Sequence, residues 1–324
     1  MTAKASALDI SVSIVSYNTK DYLRACLVSL FERRDAGEVS LEVIVADNGS
    51  TDGSTEMVRD EFPEVILVDP GGNVGYGRGN NAAVARASGR YFFILNSDTE
   101  VQPGALSTLL GYMDANPTVG MVGAQLVWPD GRDQPSCSTD PPLSVVFWEQ
   151  TFLHKLVPGN KTTSAYQMTD RDGVRTQEVD QVCGACFFVR REAWKAIDGF
   201  DPAYFMYFED IDFCIRLRRA GWPIVFLPEA RIMHHLGASS TKDWRVRARM
   251  IASHNQSRYY FYTRNEGWSR GAILKFLVVL GAALRLFAWS LIALTGKKGA
   301  PDQVRMFWRV LWLSLKMRPD TGHL

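Results

Sequence analysis

Tyr91 to Leu95 form an unbroken apolar run that stops at Asn96-Ser97-Asp98, and this stop limits the fold more tightly than anything else in the chain. Five apolar residues bounded by turn formers read as a buried strand. Asp98 is thereby delivered to a strand end, the place where open α/β sheets bind ligands. A carboxylate there can hold a hard divalent cation while waters and phosphate oxygens complete the shell. The plainer reading of the triplet is a turn, since Asn, Ser and Asp are common turn formers.

The same arrangement recurs along the chain. Residues 9–18 form an apolar alternation that ends in Ser16-Tyr17-Asn18, and Leu23, Leu27, Leu30 and Phe31 give the next segment a helical stripe. A strand over 41–46 runs into Asp47-Asn48-Gly49-Ser50 and Asp52-Gly53-Ser54, a polar turn that also caps a helix starting near Thr55. A short strand at 65–68 leads to the glycine-rich loop Gly71 to Gly77 and another helix. A helix over 103–115 and a strand over 119–127 follow the central triplet. Strands alternating with helices imply an α/β fold with a mostly parallel, doubly wound sheet. Residues 128–178 show little periodicity and read as a long surface excursion. From Val179 the chain gives a strand-like run to Arg191, a short helix, an aromatic turn, a helix with Ile211, Ile215 and Leu217 apolar, and a last strand ending in His234 and His235.

Composition divides the chain in two. With 324 residues and 46% hydrophobic content there is core enough for a domain of roughly 230–250 residues plus an appendage. Residues 242–324 carry 15 Lys/Arg against 4 Asp/Glu, whereas residues 1–241 carry 21 against 31. We therefore divide the sequence into a domain of 1–241 and a basic, hydrophobic helical region of 242–324, suited to an anionic surface. Residues 272–295 are long enough to span a bilayer, but Arg285 at their centre costs roughly 2.5 to 3.5 kcal/mol on insertion scales. Val304, Phe307, Trp308, Leu311, Trp312 and Leu315 make a Trp-bearing stripe on a basic helix, the pattern of a segment lying in the membrane interface. The expectation is a peripheral or monotopic protein on the cytoplasmic face of the inner membrane. The alternative is that both helices pack on the first domain or on a second copy in a homo-oligomer. Five cysteines and a polar start without a signal peptide point to a reducing compartment. Cys183 and Cys186 would face opposite sides of a strand, which disfavours zinc.

Several side chains have two readings. Backbone donors of the glycine loop can face a diphosphate, or the glycines can be purely steric. Glu209 and Asp210 can complement a helix dipole, or one of them, fixed beside Phe205, Tyr207 and Phe208, can serve as a general base. An imidazole at the end of the last strand can be structural or can complete a metal shell opposite Asp98.

Taken in order, SYN, DNGSTDGS, GGNVGYGRGNN, NSD, CGACFFVRR, DGFDP, FMYFEDIDFCIRLRRAGW and HHLGASS resemble the family 2 glycosyltransferases over roughly residues 9–240, in particular the rhamnosyltransferase-like branch that builds bacterial cell-wall or surface polysaccharide. The resemblance implies a GT-A fold, a nucleotide-diphosphate sugar donor such as dTDP-rhamnose, Mg²⁺ or Mn²⁺, inversion at the anomeric carbon and a polyprenyl-diphosphate-linked saccharide acceptor, with no nucleic acid among the partners. By position, Ser16, Tyr17 and Asn18 would line the nucleotide pocket, and Asp47 would bond the base edge with Ser50 and Asp52 nearby. Asn73, Gly75 and Asn80 would sit against ribose and diphosphate, beside Asn96 and Ser97. Asp98 and His234 would hold the metal, Gly184 and Ala185 would shape the acceptor side, and Asp210 would be the catalytic base with Glu209 as runner-up. Asn96 stands where many relatives have Asp, and His235 competes with His234.

Two other classes share these features. A nucleotidyltransferase needs a basic loop for a triphosphate, whereas SYNTKDYL between the first strand and helix has one Lys. A non-catalytic membrane-bound partner would have no use for Asp98, Asp210 and His234 together.

Overall fold

The computed structural model describes residues 8–153, 175–235 and 243–324, together with Val157, Thr162 and Tyr166. The middle of the 128–178 excursion and residues 236–240 of the HHLGASS stretch lie outside the described residues. The chain forms two compact units, one of residues 1–139, 171–201 and 210–239, the other of 140–170, 202–209 and 240–324. The second unit thus takes in two segments that the sequence assigned to the first domain, because 143–150 is a helix and not open loop.

The first unit is built on β1 (Ile10–Ser16), β2 (Leu41–Asp47), β3 (Ile66–Val68), β4 (Tyr91–Asn96), β5 (Thr99–Val101), β6 (Met121–Val127), β7 (Cys137–Ser138), β8 (Gln177–Glu178), β9 (Gln181–Val182), β10 (Cys186–Arg190) and β11 (Ile224–His234). The main sheet has the order β3-β2-β1-β4-β10-β6-β11-β5, with β8 on β11 and β7–β9 a separate pair. β1 to β4 are parallel, and β11 runs parallel to β6. β10, however, lies antiparallel between β4 and β6, so the sheet is mixed and not doubly wound throughout. The chain enters β10 by the Gly184–Ala185 turn, at the edge where β4 ends, and so runs back along β4. That turn also breaks the expected strand over 179–191, and Cys186 N–H donates to Cys183 O across it.

β4 is central and buried on both faces, as its apolar run requires. Val12, Ile14, Phe93, Leu95 and Phe188 form the core with the stripe Leu23, Leu27, Leu30 and Phe31 of α1 (Lys20–Asp35). α2 (Ser54–Glu61), α3 (Tyr76–Val84), α4 (Ala105–Ala115) and α6 (Arg191–Ala196) complete the layers with α7 (Glu209–Arg219), while α5 (Leu143–Gln150) belongs to the second unit. Trp194, Phe187, Phe200 and Phe213 pack ring to ring beneath α7 and fix its start.

The second unit consists of α5 (Leu143–Gln150), α8 (Trp244–Glu266), α9 (Trp268–Leu294) and α10 (Ala300–Leu315). Asp243 caps α8 by accepting from Arg245 N–H at 2.7 Å. Gly267, at φ 95°, breaks the chain between α8 and α9 where a side chain would be strained. Gly271, Leu274, Val278, Gly281 and Ala282 form the buried line of α9, and Ala248, Ala282, Met306 and Val310 meet in a small apolar core. Two cations in the middle of α9 lie on its packed side: Lys275 donates to Met317 O, and Arg285 donates to the carbonyls of Glu149 and Gln150. Its outward side carries Ile273, Phe276, Leu284, Phe287, Leu291 and Leu294. The apolar stripe of α10 is split, for the helix turns Met306 and Val310 inward and leaves Trp308, Trp312 and Leu315 exposed.

Candidate active site

Strand register places the chemistry-bearing residues on one edge of the first unit's sheet. Ser16 is opposite Asp47, Val15 opposite Asn96, and Cys186 opposite Leu95, so the ends of β1, β2 and β4 and the Gly184–Ala185 turn share that edge. Thr19 ties two of these ends, its hydroxyl reaching Ser16 Oγ at 3.2 Å and donating to Ser97 Oγ at 3.0 Å. Asn96 N–H donates to Ala185 O at 3.0 Å and fastens β4 to the turn.

The outer part of the edge comes from the ends of β1 and β2. Asp47 Oδ1 accepts from the N–H groups of Gly49 and Ser50, while its buried Oδ2 has no hydrogen-bond partner among the described residues. A buried carboxylate oxygen left open is costly unless a ligand donor reaches it, and a base edge carrying N–H groups would fit. Asn18, at φ 54°, accepts from Thr51 N–H at 2.8 Å, and its own N–H donates to Ser50 Oγ, so the two loops move as one. Tyr17 is exposed beside them, as an aromatic face for a base would be. Asp52 has a structural role. Burial works to raise its pKa, but the hydrogen bonds it accepts from Ser54 and from Lys20 N–H outweigh burial and lower it.

The glycine loop is braced from within. Asn73 Oδ1 accepts from Gly75 N–H, and Asn48 Nδ2 donates to Gly75 O. Asn80 lies elsewhere than expected. It is fully buried with Oδ1 accepting from Ser13 Oγ at 2.7 Å and Nδ2 donating to Tyr76 O, so it braces α3 against β1 instead of meeting a ribose or diphosphate. Residues of both β1 and α3 have inward polar groups there, and each satisfies the other.

At the end of β4, β5 pairs with β11 and sets Thr99 opposite His234. His234 Nε2 is 3.4 Å from Asp98 Oδ1, and both side chains are largely shielded. Strand alternation sends His235 the other way, to Glu100 at 2.6 Å and the ring of Tyr22. The doubled histidine is thus separated by geometry. Gln134, which no sequence pattern marked, settles the tautomer of His234. Its Nε2 donates to His234 O at 2.6 Å and to Val127 O, which leaves Oε1 facing His234 Nδ1 at 3.1 Å as the acceptor. With Nδ1 donating to Gln134, Nε2 is the ring nitrogen turned to Asp98, and the two would offer one nitrogen and one carboxylate oxygen to a cation. No group of three or more His, Cys, Asp or Glu converges among the described residues. Asp98 and His234 therefore suit a cation whose other ligands are phosphate oxygens and water.

Asp210 is the second residue of α7 and accepts from Ile211 N–H at 2.9 Å. Burial raises its pKa, opposed by the backbone donors of Ile211, Asp210 and Gly184. Gly184 is required there, because a Cβ at that position would stand 2.8 Å from Asp210 Cβ and 2.9 Å from Oδ2. The Tyr76 hydroxyl donates to Gly184 O at 2.7 Å and holds the turn in place. Glu209, the first residue of α7, is buried. The enclosed Asp210 carboxylate, its pKa raised by burial, suits a proton acceptor. All five cysteines are free thiols, and burial raises Cys183 to about 11 and Cys186 to about 12.

A family model described as Glycosyl transferase family 2 matches residues 11–197, and one described as Glycosyl transferase family group 2 matches residues 144–317. The N-acetylglucosaminyl-diphospho-decaprenol L-rhamnosyltransferase of Mycobacterium tuberculosis is 33% identical over 276 residues, 82% of this chain and 87% of the relative. Rhamnosyltransferase WbbL of Escherichia coli is 26% identical over 70% of this chain and 83% of its own length. Among solved structures, a mannosyltransferase from Pyrobaculum calidifontis in complex with GDP-Man and Mn²⁺ superposes with a TM-score of 0.54 at 18% identity, covering 96% of this chain and 87% of that one.

Proposed function

The chain belongs to glycosyl transferase family 2 and is a transferase with a GT-A-like, mostly parallel sheet, and from that premise we propose that it moves L-rhamnose from dTDP-rhamnose to a hydroxyl of a saccharide carried on a polyprenyl diphosphate, with inversion. The observation that carries this reading is the single sheet edge holding Asp47, Asp98 with His234, and the Gly184 turn against which Asp210 is set. The choice of sugar and acceptor draws support from the rhamnosyltransferase names of the relatives.

Each group has a part in that chemistry. Asp47 Oδ2 takes a hydrogen bond from the pyrimidine of the donor, and Asn18 and Tyr17 flank it. Asp98 and His234 would hold Mg²⁺ or Mn²⁺, which supplies charge stabilisation to the departing diphosphate. Asp210 accepts the proton of the acceptor hydroxyl while that oxygen bonds to the anomeric carbon and the bond to the nucleoside diphosphate breaks. Glu209 stays the runner-up for that role.

The exposed apolar sides of α9 and α10 support a peripheral seat on the cytoplasmic face of the membrane. By length and composition alone α9 is a candidate span of 27 residues. The interfacial reading is favoured because Lys275 and Arg285 are held by carbonyls of neighbouring segments, which tie α9 to the rest of its unit.

A calorimetric panel of UDP, dTDP and GDP sugars tests the reading. Tightest binding of dTDP-rhamnose, with acceptor-dependent release of dTDP, is expected. Tighter binding of another donor would reject the sugar, and release of diphosphate from a nucleoside triphosphate would move the chain to nucleotidyl transfer.

A further inference from the structure

Within the helical unit lies a cavity of about 460 Å³ that the chemistry described so far does not use. That is the size range of small-molecule sites. Its lining combines apolar side chains, Val278 and Ala282 of α9 with Phe307 and Val310 of α10, with two guanidinium groups, those of Arg258 and Arg285. Apolar side chains and two guanidinium groups lining one cavity are an arrangement for an amphiphile with an anionic head.

The two arginines are held short of full satisfaction. Arg258 is 8% exposed, yet Nη1 and Nη2 both reach the same oxygen of Glu149, each at 3.1 Å, instead of forming the two parallel bonds a carboxylate can offer. Its buried Nε has no hydrogen-bond partner among the described residues. Arg285 donates only to carbonyl-type oxygens of Glu149, Gln150 and Gly281, and no carboxylate lies in ion-pair range of it among the described residues. Of the two cations, only Arg258 meets a carboxylate among the described residues. His254 adds no charge, since burial and then the neighbouring Arg258 push its pKa down to about 3.

The cavity borders a strained stretch. Tyr207 lines it, and Tyr207 and Phe208 have φ of 71° and 67°, a left-handed conformation strained for an aromatic residue. Both rings are pinned by His254, at centroid distances of 5.3 and 5.4 Å. In the sequence Tyr207 precedes Asp210 by three residues.

We propose that this cavity receives the diphosphate end of the polyprenyl-linked acceptor, Arg258 and Arg285 binding the phosphate oxygens and the Val278, Ala282, Phe307 and Val310 side chains taking the first isoprene unit. A diphosphate displaces Glu149 from Arg258 and supplies the acceptor that Nε lacks. This rests on the proposed function for the nature of the acceptor, and it assigns the lipid's place to residues on which the sugar chemistry does not depend.

The test uses the full-length protein in detergent with farnesyl diphosphate as probe, farnesol as the same chain without phosphate, and inorganic diphosphate as the same anion without chain. Farnesyl diphosphate should bind at least tenfold more tightly than either. Arg258→Gln and Arg285→Gln should each weaken it tenfold or more, Val278→Trp should fill the cavity and block it, and Glu149→Gln, which frees Arg258, should tighten it several-fold. Nucleotide-sugar binding should be the same in all four variants. Farnesol binding as tightly as farnesyl diphosphate would make this a plain apolar pocket, and inorganic diphosphate binding as tightly would make it a free-anion site; either overturns the proposal. Unchanged affinity in both arginine variants does so as well. Should Arg258→Gln not fold, Glu149→Gln and Val278→Trp still decide. A wild-type protein that binds nucleotide sugar but no lipid diphosphate fails this inference alone, whereas one that binds no nucleotide sugar fails the proposed function.

Discussion

His234 Nε2 stands 3.4 Å from Asp98 Oδ1, across the pairing of β11 with β5. Gln134 on the far side of the ring meets Nδ1 and so turns Nε2 to Asp98, where the two side chains would hold a cation together. Asp98→Ala should abolish metal-dependent donor binding and leave the thermal midpoint near that of the wild type, as read by calorimetry with and without Mn²⁺. Gln134→Leu should keep both ligands but release the ring, lowering metal affinity about 10- to 100-fold. Metal dependence unchanged in Asp98→Ala would remove the pair from the site.

Asp210 and Glu209 are adjacent at the start of α7, and only Asp210 is set against the Gly184 turn. Asp210→Asn should bind donor normally and lose on the order of a hundredfold or more in kcat. Because burial raises the Asp210 pKa and the base must be ionised, kcat/KM should rise with pH along a limb displaced above the ordinary carboxylate range. That limb should vanish in Asp210→Asn. A larger loss in Glu209→Gln would exchange the two roles.

The apolar run 91–95, its polar stop and the alternation before it were enough to place the central strand and the edge that carries Ser16, Asp47 and Asp98, because strand period and turn chemistry are local properties. Tertiary needs decided the rest. Gln134 sits in a stretch without periodicity, and its role depends on which strand passes opposite. The resemblance sets Asn80 against ribose and diphosphate, but the side chain is spent on Ser13, a partner 67 residues away. The run from 179 to 191 looked continuous, and it breaks at Gly184 because the Asp210 carboxyl occupies the space a side chain would take. In α9 the sequence shows Arg285 at the centre of an apolar run, but only the packing shows that it faces the carbonyls of Glu149 and Gln150.

Gly184→Ala tests that break. The added methyl would meet Asp210 Cβ and Oδ2 at 2.8 and 2.9 Å, distances that force one of them to move. Asp210 is expected to turn away, so kcat should fall at least tenfold while donor affinity holds. Full turnover in Gly184→Ala would mean that the base does not depend on this fit.

The outward residues of α9 and α10 should carry membrane binding. Phe276, Phe287, Trp308 and Trp312 are all exposed, so replacing the four by Ser removes apolar surface without opening the core. Because α8 packs against both helices, whole-chain substitution is a cleaner test than truncation. The variant should stay folded and bind nucleotide sugar, yet no longer sediment with anionic vesicles. Sedimentation equal to that of the wild type would show that these faces meet something other than lipid.

His254 should make the helical unit acid-sensitive. Burial first, then Arg258, lowers its folded-state pKa to about 3, against an ordinary value near 6.5. Between those values the unfolded chain binds a proton that the folded chain does not, so this group's contribution to stability falls as pH drops through 6.5 and goes on falling until about pH 3. The slope for one proton is about 1.4 kcal/mol per pH unit, which gives roughly 2 kcal/mol between pH 6.5 and 5.0. Arg258 on the same helix, Arg285 of α9 and Glu149 of α5 are the charged groups around the same cavity, with Tyr207 against the ring. They contribute a background common to wild type and variant. His254→Leu should therefore flatten the pH dependence by about that amount when urea midpoints at pH 7.0 and 5.0 are compared. An identical loss in the two proteins would show that His254 takes up its proton in the folded state.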